Sequence, residues 1–354
     1  MQVPETTEAF RDLLRAIQRT DLNGNGKNDE IPLLSCKGNV NNQMLYALMN
    51  PFIYTQENYL IQENGQLVFA PVQTGWKDGL AYIKSLMDEG LLSPLSFTQD
   101  NAQMTTLMAQ EETIAGVIAR PSASNLPASD PRREQYVIIG ALEGPSGIRQ
   151  QTQKGTIPSV NYIITKNCEE VEAAVRVGDY LSSIEMNNWS RYGVEGENWA
   201  YMDTPGESMY ASLGFAGDIQ ETNQIWGNVQ NTHWCQTGPV VGDGSTITYR
   251  VVKESKEGNY NHTVPIGTTI KRELDWVNTE SQVYGMIFTQ EEQEIVNEFR
   301  ASIEEYVVES FALFVTGERD LDTEWKDYVQ SFYNMGLDSY MTALQTCWDR
   351  MNVQ

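Results

Sequence analysis

The sequence predicts an α/β fold in two domains or lobes. Three observations point there. The chain has 354 residues, enough for two cores. Apolar residues make up 40% of it, which is a globular composition. Segments with 3.6-residue apolar periodicity alternate with short apolar runs bounded by turn residues, and the chain closes on helical patterns alone.

In order along the chain, Thr6 or Thr7 caps a helix with Phe10, Leu13, Leu14 and Ile17 on one face. "YLIQENGQLVFAP" sets Asn64-Gly65 between two apolar runs and reads as a hairpin. A helix with Trp76, Leu80, Ile83 and Met87 follows and stops at Gly90. Thr113 to Ile118 and Tyr136 to Leu142 read as buried strands. Asn167 and Glu170 frame a helix start, with Ala174, Val177, Leu181 and Ile184 as its inner face. Residues 200 to 285, rich in Gly, Asn, Thr and aromatics, read as loops and short strands. Thr289 with Glu292 forms a capping box that opens a long helix through Val296, Phe299 and Ile303. Two more helices carry Trp325, Tyr328, Val329 and Phe332, then Leu337, Tyr340, Met341, Leu344 and Trp348.

Composition excludes several functions. A net charge of −24 disfavours nucleic acid and anionic membrane surfaces, which require basic patches. The four Cys, at 36, 168, 235 and 347, show neither CxxC nor zinc spacing, and free buried thiols are expected. Only His233 and His262 are available, too few for a His-rich metal site. No run of 18 apolar residues suggests a membrane span, and "MQVPETTEAF" is not a signal peptide. No G-x-S-x-G elbow or P-loop appears, and the G-x-G of Gly24 and Gly26 follows a helix, the wrong setting for a dinucleotide. There are 8 Trp and 17 Tyr against 10 Phe, so rings with a polar edge dominate, suited to core and wet binding surfaces alike.

The densest motif is "DLNGNGKNDEIPL", residues 21 to 33. Asp21, Asn23 and Asn25 fall at positions 1, 3 and 5 of an EF-hand-like loop, with Gly26 at position 6 where the sharp turn is needed. The Lys27 carbonyl falls at position 7 and Asp29 at position 9; position 12 is Pro32, and Glu30 stands in two residues early. A calcium ion takes six to eight oxygens, and these six residues can supply them, drawing Asp21, Asp29 and Glu30 together. The plainer reading is an Asn-Gly loop with solvated acids.

"TTEAFRDLLRAIQRTDLNGNGKNDEIPL" resembles a segment of the extracellular solute-binding proteins (family 1, lipoprotein type) of oligosaccharide ABC importers, alginate-oligosaccharide-binding relatives among them. "NYLIQENGQLVFAPV", "DEGLLSPLSFTQDNAQ", "YVIIGALEGPSGIR", "EEVEAAVRVGDYLSSIEMNNWSRYGVEGENW" and the stretch from "FTQEEQEIVNEF" to "TALQTCWDR" are similar to later parts of that family, in the same order. The resemblance implies a two-lobed, periplasmic-binding-protein-like (type II) α/β fold with the opening half of the N-terminal lobe missing. It implies residues 1–154 in the second lobe with the calcium loop, 155–225 in the remainder of the first, and 226–354 back in the second. Some apolar surface of the first lobe is then expected to lie bare.

Function is implied in the same way. The protein would be the extracytoplasmic binding component of an ABC importer, not an enzyme. It would capture an oligosaccharide by lobe closure and pass it to the permease transmembrane subunits as a monomer. It would be held at the membrane only through a lipid anchor outside this chain, or lie in the periplasm. Sugars offer C–H faces to aromatic rings and hydroxyls to polar side chains. Candidate ligand contacts are therefore Trp199 and Glu195 in "YGVEGENW", Trp226 and Trp234 in "IWGNVQNTHW", and Tyr201; Arg149 and Gln151 are weaker ones. Trp199 reads equally well as core, and Trp76, Trp189, Trp325 and Trp348 read as core by helical spacing. The alternatives are a glycosidase-like enzyme, which needs two placed carboxylates that do not stand out here, and a calcium-stabilised glycan-adhesion module.

Overall fold

The computed structural model describes residues 2–39, 43–110, 112–119, 126, 130–152, 162–208, 216–222, 234, 238, 250 and 275–352. The chain forms two compact units, one of residues 1–121, 139–155 and 273–354, the other of 122–138 and 156–272. The division expected from the resemblance differs in two places: the second unit continues to 272 rather than 225, and it includes 122–138.

Unit 1 opens with α1 (Thr7–Gln18), capped by the Thr6 hydroxyl, which accepts from the Ala9 N–H. Phe10, Leu14 and Ile17 are its buried face. Strand β1 (Ile31–Leu34) follows the Asn-Gly loop. The hairpin is β2 (Leu60–Glu63) and β3 (Gln66–Phe69), with Asn64 and Gly65 both at positive φ as a two-residue turn of this kind requires. Next come α2 (Thr74–Asp88), α3 (Asn101–Met108) and β4 (Ala115–Ile118). β4 pairs in parallel with β1, Ile31 opposite Ala115 and Leu33 opposite Val117. The C-terminal helices are α6 (Gln290–Thr316), α7 (Trp325–Asn334) and α8 (Leu337–Asn352). The Thr289–Glu292 capping box is formed in both directions. One apolar core joins these parts, with Trp76, Phe311, Phe314, Tyr328, Phe332 and Tyr340 among its largest buried side chains.

Unit 2 contains α4 (Val171–Ser182), α5 (Ile184–Tyr192) and an antiparallel pair, β5 (Trp199–Glu207) and β6 (Ala216–Glu221). A bulge shifts the pairing between Tyr201 and Gly206.

Three expectations are corrected. Tyr136 to Leu142 is not a strand: it is irregular, Val137 is exposed, and Leu142 and, in part, Ile139 reach the core. The Asn167/Glu170 helix start has no side-chain cap; the helix begins at Val171 instead. The expected inner face of α4 is not an inner face, because Val177 and Ile184 lie in solvent and Gly178 is the helix's buried residue.

Candidate functional site

Two places collect functional side chains. The first is the loop joining α1 to β1. Gly24 and Gly26 sit at positive φ, where a side chain would strain the backbone, and this lets the chain curl around Asp21. Asp21 Oδ1 accepts from the Gly24 N–H at 2.7 Å, and Oδ2 from the Gly26 N–H at 2.8 Å. Asn23 Oδ1 accepts from the Asn25 N–H, and Asn25 Oδ1 from the Lys27 N–H. Asn25 Nδ2 donates to Asp29. Asn23 Nδ2 donates to the Glu112 carbonyl at 2.7 Å, fastening the loop to the entry of β4.

Glu30 differs from the other acids of the loop. It is only 7% exposed. Its Oε1 accepts from the Leu22 N–H at 2.6 Å, while its Oε2 is buried with no hydrogen-bond partner. A buried carboxylate oxygen left unpaired is costly unless something cationic meets it. Carboxylate oxygens have further lone pairs beyond those used by the loop N–H groups. The donor set is oxygen throughout and matches a hard cation. The expected gathering of the three carboxylates is not seen: among the described residues no group of three or more His, Cys, Asp or Glu forms a metal-binding cluster.

The second place is a cavity of about 1030 Å³ in unit 2. Its walls come from α4, α5, the turn after α5, the start of β5, and Trp234. Trp189 and Trp234 meet with ring centroids 5.7 Å apart, tilted by 47°. Trp189, expected in the core, is partly exposed and lines this cavity. Trp199 is 4% exposed, and its indole N–H donates to the Gly193 carbonyl at 3.0 Å, so its ring is mainly structural with an edge on the cavity. Tyr201 packs edge-on against Trp199 at 5.3 Å and is half exposed. The Arg250 guanidinium lies 5.3 Å from the centre of the Tyr201 ring. Arg250 Nε donates to Asp218 at 2.7 Å, and this pairing holds the Asp218 carboxyl below the usual range. Glu195 is exposed at the rim. Asn188 is 5% exposed, lines the cavity, and has a buried Oδ1 with no hydrogen-bond partner.

Trp226 lies outside the described residues, as do His233, His262 and Cys235. Arg149 and Gln151 lie in unit 1. Arg149 stacks 4.5 Å above Trp276 and donates to the Ala141 carbonyl, while Gln151 pairs through its backbone with Trp276 and Asn278. Sequence reasoning missed Trp189 and Asn188; both stand on α5, where an apolar or amide residue at helical spacing carries no mark of which way it faces.

The fold is that of type II solute-binding proteins, a mix of helices and strands with no closed barrel among the described residues. The fructooligosaccharide ABC-transporter substrate-binding protein FusA of Streptococcus pneumoniae is 23% identical over 99% of this chain and 63% of its own length. Lipoprotein LipO of Bacillus subtilis is 28% identical over 57% of this chain and 42% of its own. The structure of FusA with kestose superposes with a TM-score of 0.70 at 20% identity, over 99% of this chain and 69% of FusA. An EF-hand mutant of FusA has also been solved, and it superposes at 0.69. The calcium-free alginate-binding protein AlgQ2 superposes at 0.62 with 15% identity, over 99% of this chain and 69% of that one. The chain thus spans less than two thirds of the length of these curated relatives. No protein-family model matches the sequence. Among the described residues no helix is long and apolar enough to cross a membrane.

Proposed function

We propose that this chain belongs to an extracytoplasmic oligosaccharide-binding protein that serves an ABC importer without catalysis, capturing its ligand by lobe closure and handing it to permease subunits. The observation that carries this is the unit 2 cavity. The Trp189–Trp234 pair offers aromatic faces to sugar C–H groups, and the unpaired Asn188 Oδ1 offers an acceptor to a hydroxyl. Tyr201 and Glu195 extend the polar rim, and Trp199 backs it. Relatives named for fructooligosaccharide binding, one of them solved with kestose, favour a neutral glycan, as does the net charge of −24, which repels polyanions.

The reading includes calcium held by Asp21, Asn23, Asn25, the Lys27 carbonyl, Asp29 and Glu30. The ion would stiffen the α1–β1 connection and satisfy the buried Glu30 oxygen; it has no chemical step to perform. It also includes a monomer in solution and attachment outside the membrane through a lipid anchor.

Titration of tryptophan fluorescence with kestose and other neutral oligosaccharides tests the proposal. Saturable quenching is expected, with the glycan recovered intact. Trp189→Ala and Trp234→Ala are expected to weaken binding by about 1–3 kcal/mol each, by analogy with bases stacked on aromatic rings. Trp199→Ala is expected to lower stability instead, by about 3–5 kcal/mol. Shortening of the glycan would establish an enzyme, and quenching by a peptide alone would overturn the substrate class.

A further inference from the structure

The sequence holds three Asn-Gly pairs: Asn23-Gly24, Asn25-Gly26 and Asn64-Gly65. Such a pair can react with itself. Glycine has no side chain to shield its backbone nitrogen, which can attack the Cγ of the asparagine before it. Two conditions govern that attack. The nitrogen must be free to lose its proton, and the side-chain amide must be free to swing over it. A bond from the N–H to a carboxylate is charge-assisted and holds the proton in place. Bonds that fix both ends of the amide prevent the swing.

The fold separates the three pairs. In the α1–β1 loop Asp21 holds both nitrogens, Oδ1 taking the Gly24 N–H at 2.7 Å and Oδ2 the Gly26 N–H at 2.8 Å. The amides are fixed as well. Asn23 Oδ1 accepts from the Asn25 N–H at 2.9 Å, and its Nδ2 donates to the Glu112 carbonyl at 2.7 Å. Asn25 Oδ1 accepts from the Lys27 N–H at 2.8 Å, and its Nδ2 donates to Asp29. The β2–β3 turn has no such clamp. Among the described residues neither the Gly65 N–H nor the Asn64 side-chain amide has a hydrogen-bond partner. Asn64 is exposed, and no atom lies within 4 Å of where a Cβ on Gly65 would stand. The tip of a hairpin opens locally at little cost, so the reacting geometry is within reach there.

We propose that Asn64 is a site of self-modification to aspartate and isoaspartate, and that Asp21 protects Asn23 and Asn25 from the same reaction. Gly65 N gives its proton to solvent hydroxide and bonds to Asn64 Cγ. The Cγ–Nδ2 bond breaks, and ammonia leaves with a proton taken from water. Water then opens the five-membered imide at either carbonyl. One opening leaves an ordinary aspartate. The other routes the main chain through the former side chain and adds a methylene to the turn. A two-residue turn sets the register of its strands, and the Gly65 carbonyl accepts from Gln345 Nε2 of α8 at 2.9 Å. Isoaspartate therefore loosens the hairpin's hold on α8. The chemistry needs neither the glycan nor the calcium proposed above.

Peptide mapping by mass spectrometry tests it. Purified residues 1–354 are kept in mildly alkaline buffer with EDTA, so that no cation shields the loop, and sampled over days. Conversion at Asn64 is expected to be at least tenfold faster than at Asn23 or Asn25. Isoaspartate is confirmed by methyl transfer from S-adenosylmethionine with an isoaspartyl methyltransferase. In urea the three rates should converge. Asp21→Ala should speed Asn23 and Asn25 at least tenfold and leave Asn64 unchanged, which also shows that the variant is folded. If it does not fold, the native and urea rates of the parent chain decide. Anion exchange separates the modified form by its added charge, and that form should melt below the fresh one. Equal rates at the three pairs in the native chain would overturn the proposal, as would a ratio that urea leaves unchanged. So would a folded Asp21→Ala chain whose loop is as inert as the parent's. A modified form that melts with the fresh one would overturn the link to α8.

Discussion

At the scale of single residues, Glu30 is the most informative side chain. Its unpaired Oε2 in a 7% exposed setting is a standing cost to the folded state. A cation that binds only the folded loop removes this cost and adds stability by mass action, about 2.7 kcal/mol at a hundredfold excess over Kd. Thermal melts in calcium and in EDTA should therefore differ, and Glu30→Gln should abolish most of the difference. Identical melts for the parent protein would exclude the cation. The alternating Asp21, Asn23 and Asn25 announce such a loop because its geometry is local. Glu30 is harder to read, since its burial depends on packing that spacing does not encode. Trp189 and Trp199 show the same limit: one was expected in the core and stands on a cavity wall, while the other is mainly buried.

At the scale of elements, local signals were reliable where one side chain decides the geometry. The Thr6 cap, the Asn64-Gly65 turn and the Thr289–Glu292 box lie where the sequence places them. Thr289→Ala should lower stability by about 1 kcal/mol, the usual worth of a helix cap, measured by urea denaturation with an unchanged slope. Signals that rest on a distant partner were less reliable. Tyr136 to Leu142 has the apolar content of a strand but is irregular in the structure. The apolar stripe of α4 was legible as a stripe, but nothing in a helical period tells that Gly178 would be its buried residue and the valines exposed.

At the scale of the whole molecule, acidity governs the response to pH. Glu89 is held below its ordinary value chiefly by its hydrogen bond from Arg15, and Glu292 chiefly by that from Arg350. A depressed carboxyl contributes stability above the unfolded value, near 4.5, and loses it as the pH falls through the folded one. Glu304 runs the other way. Burial raises it, against the opposing pull of Arg300 and with Glu57 adding to the rise. Tyr46, Tyr59 and Tyr340 also lie within its field. Its charged form disfavours the fold, a penalty present above its raised value and absent below its unfolded one. Glu304→Gln should thus raise the melting temperature at pH 7 to 8, with the gain shrinking toward pH 4. A gain constant across that range would show that the carboxyl is not the cause.

The core of unit 1 also fixes an order of assembly. Phe69 meets Phe332 at 5.3 Å, and the Leu67 N–H donates to Gln345 across 278 positions of chain. The hairpin and α2 therefore precede in the chain the C-terminal helices that complete their core. Contacts this distant in sequence make folding slow, and the early half of unit 1 must stay soluble while it waits, where its many carboxylates keep nascent chains apart. Removing α8, the sixteen residues Leu337–Asn352, should then abolish the cooperative melt of all of unit 1 rather than trim it. A truncated chain that still melts in one sharp transition by circular dichroism would show that the early half folds unaided. A later stretch of the chain is, in this molecule, the step that commits an earlier one to its structure.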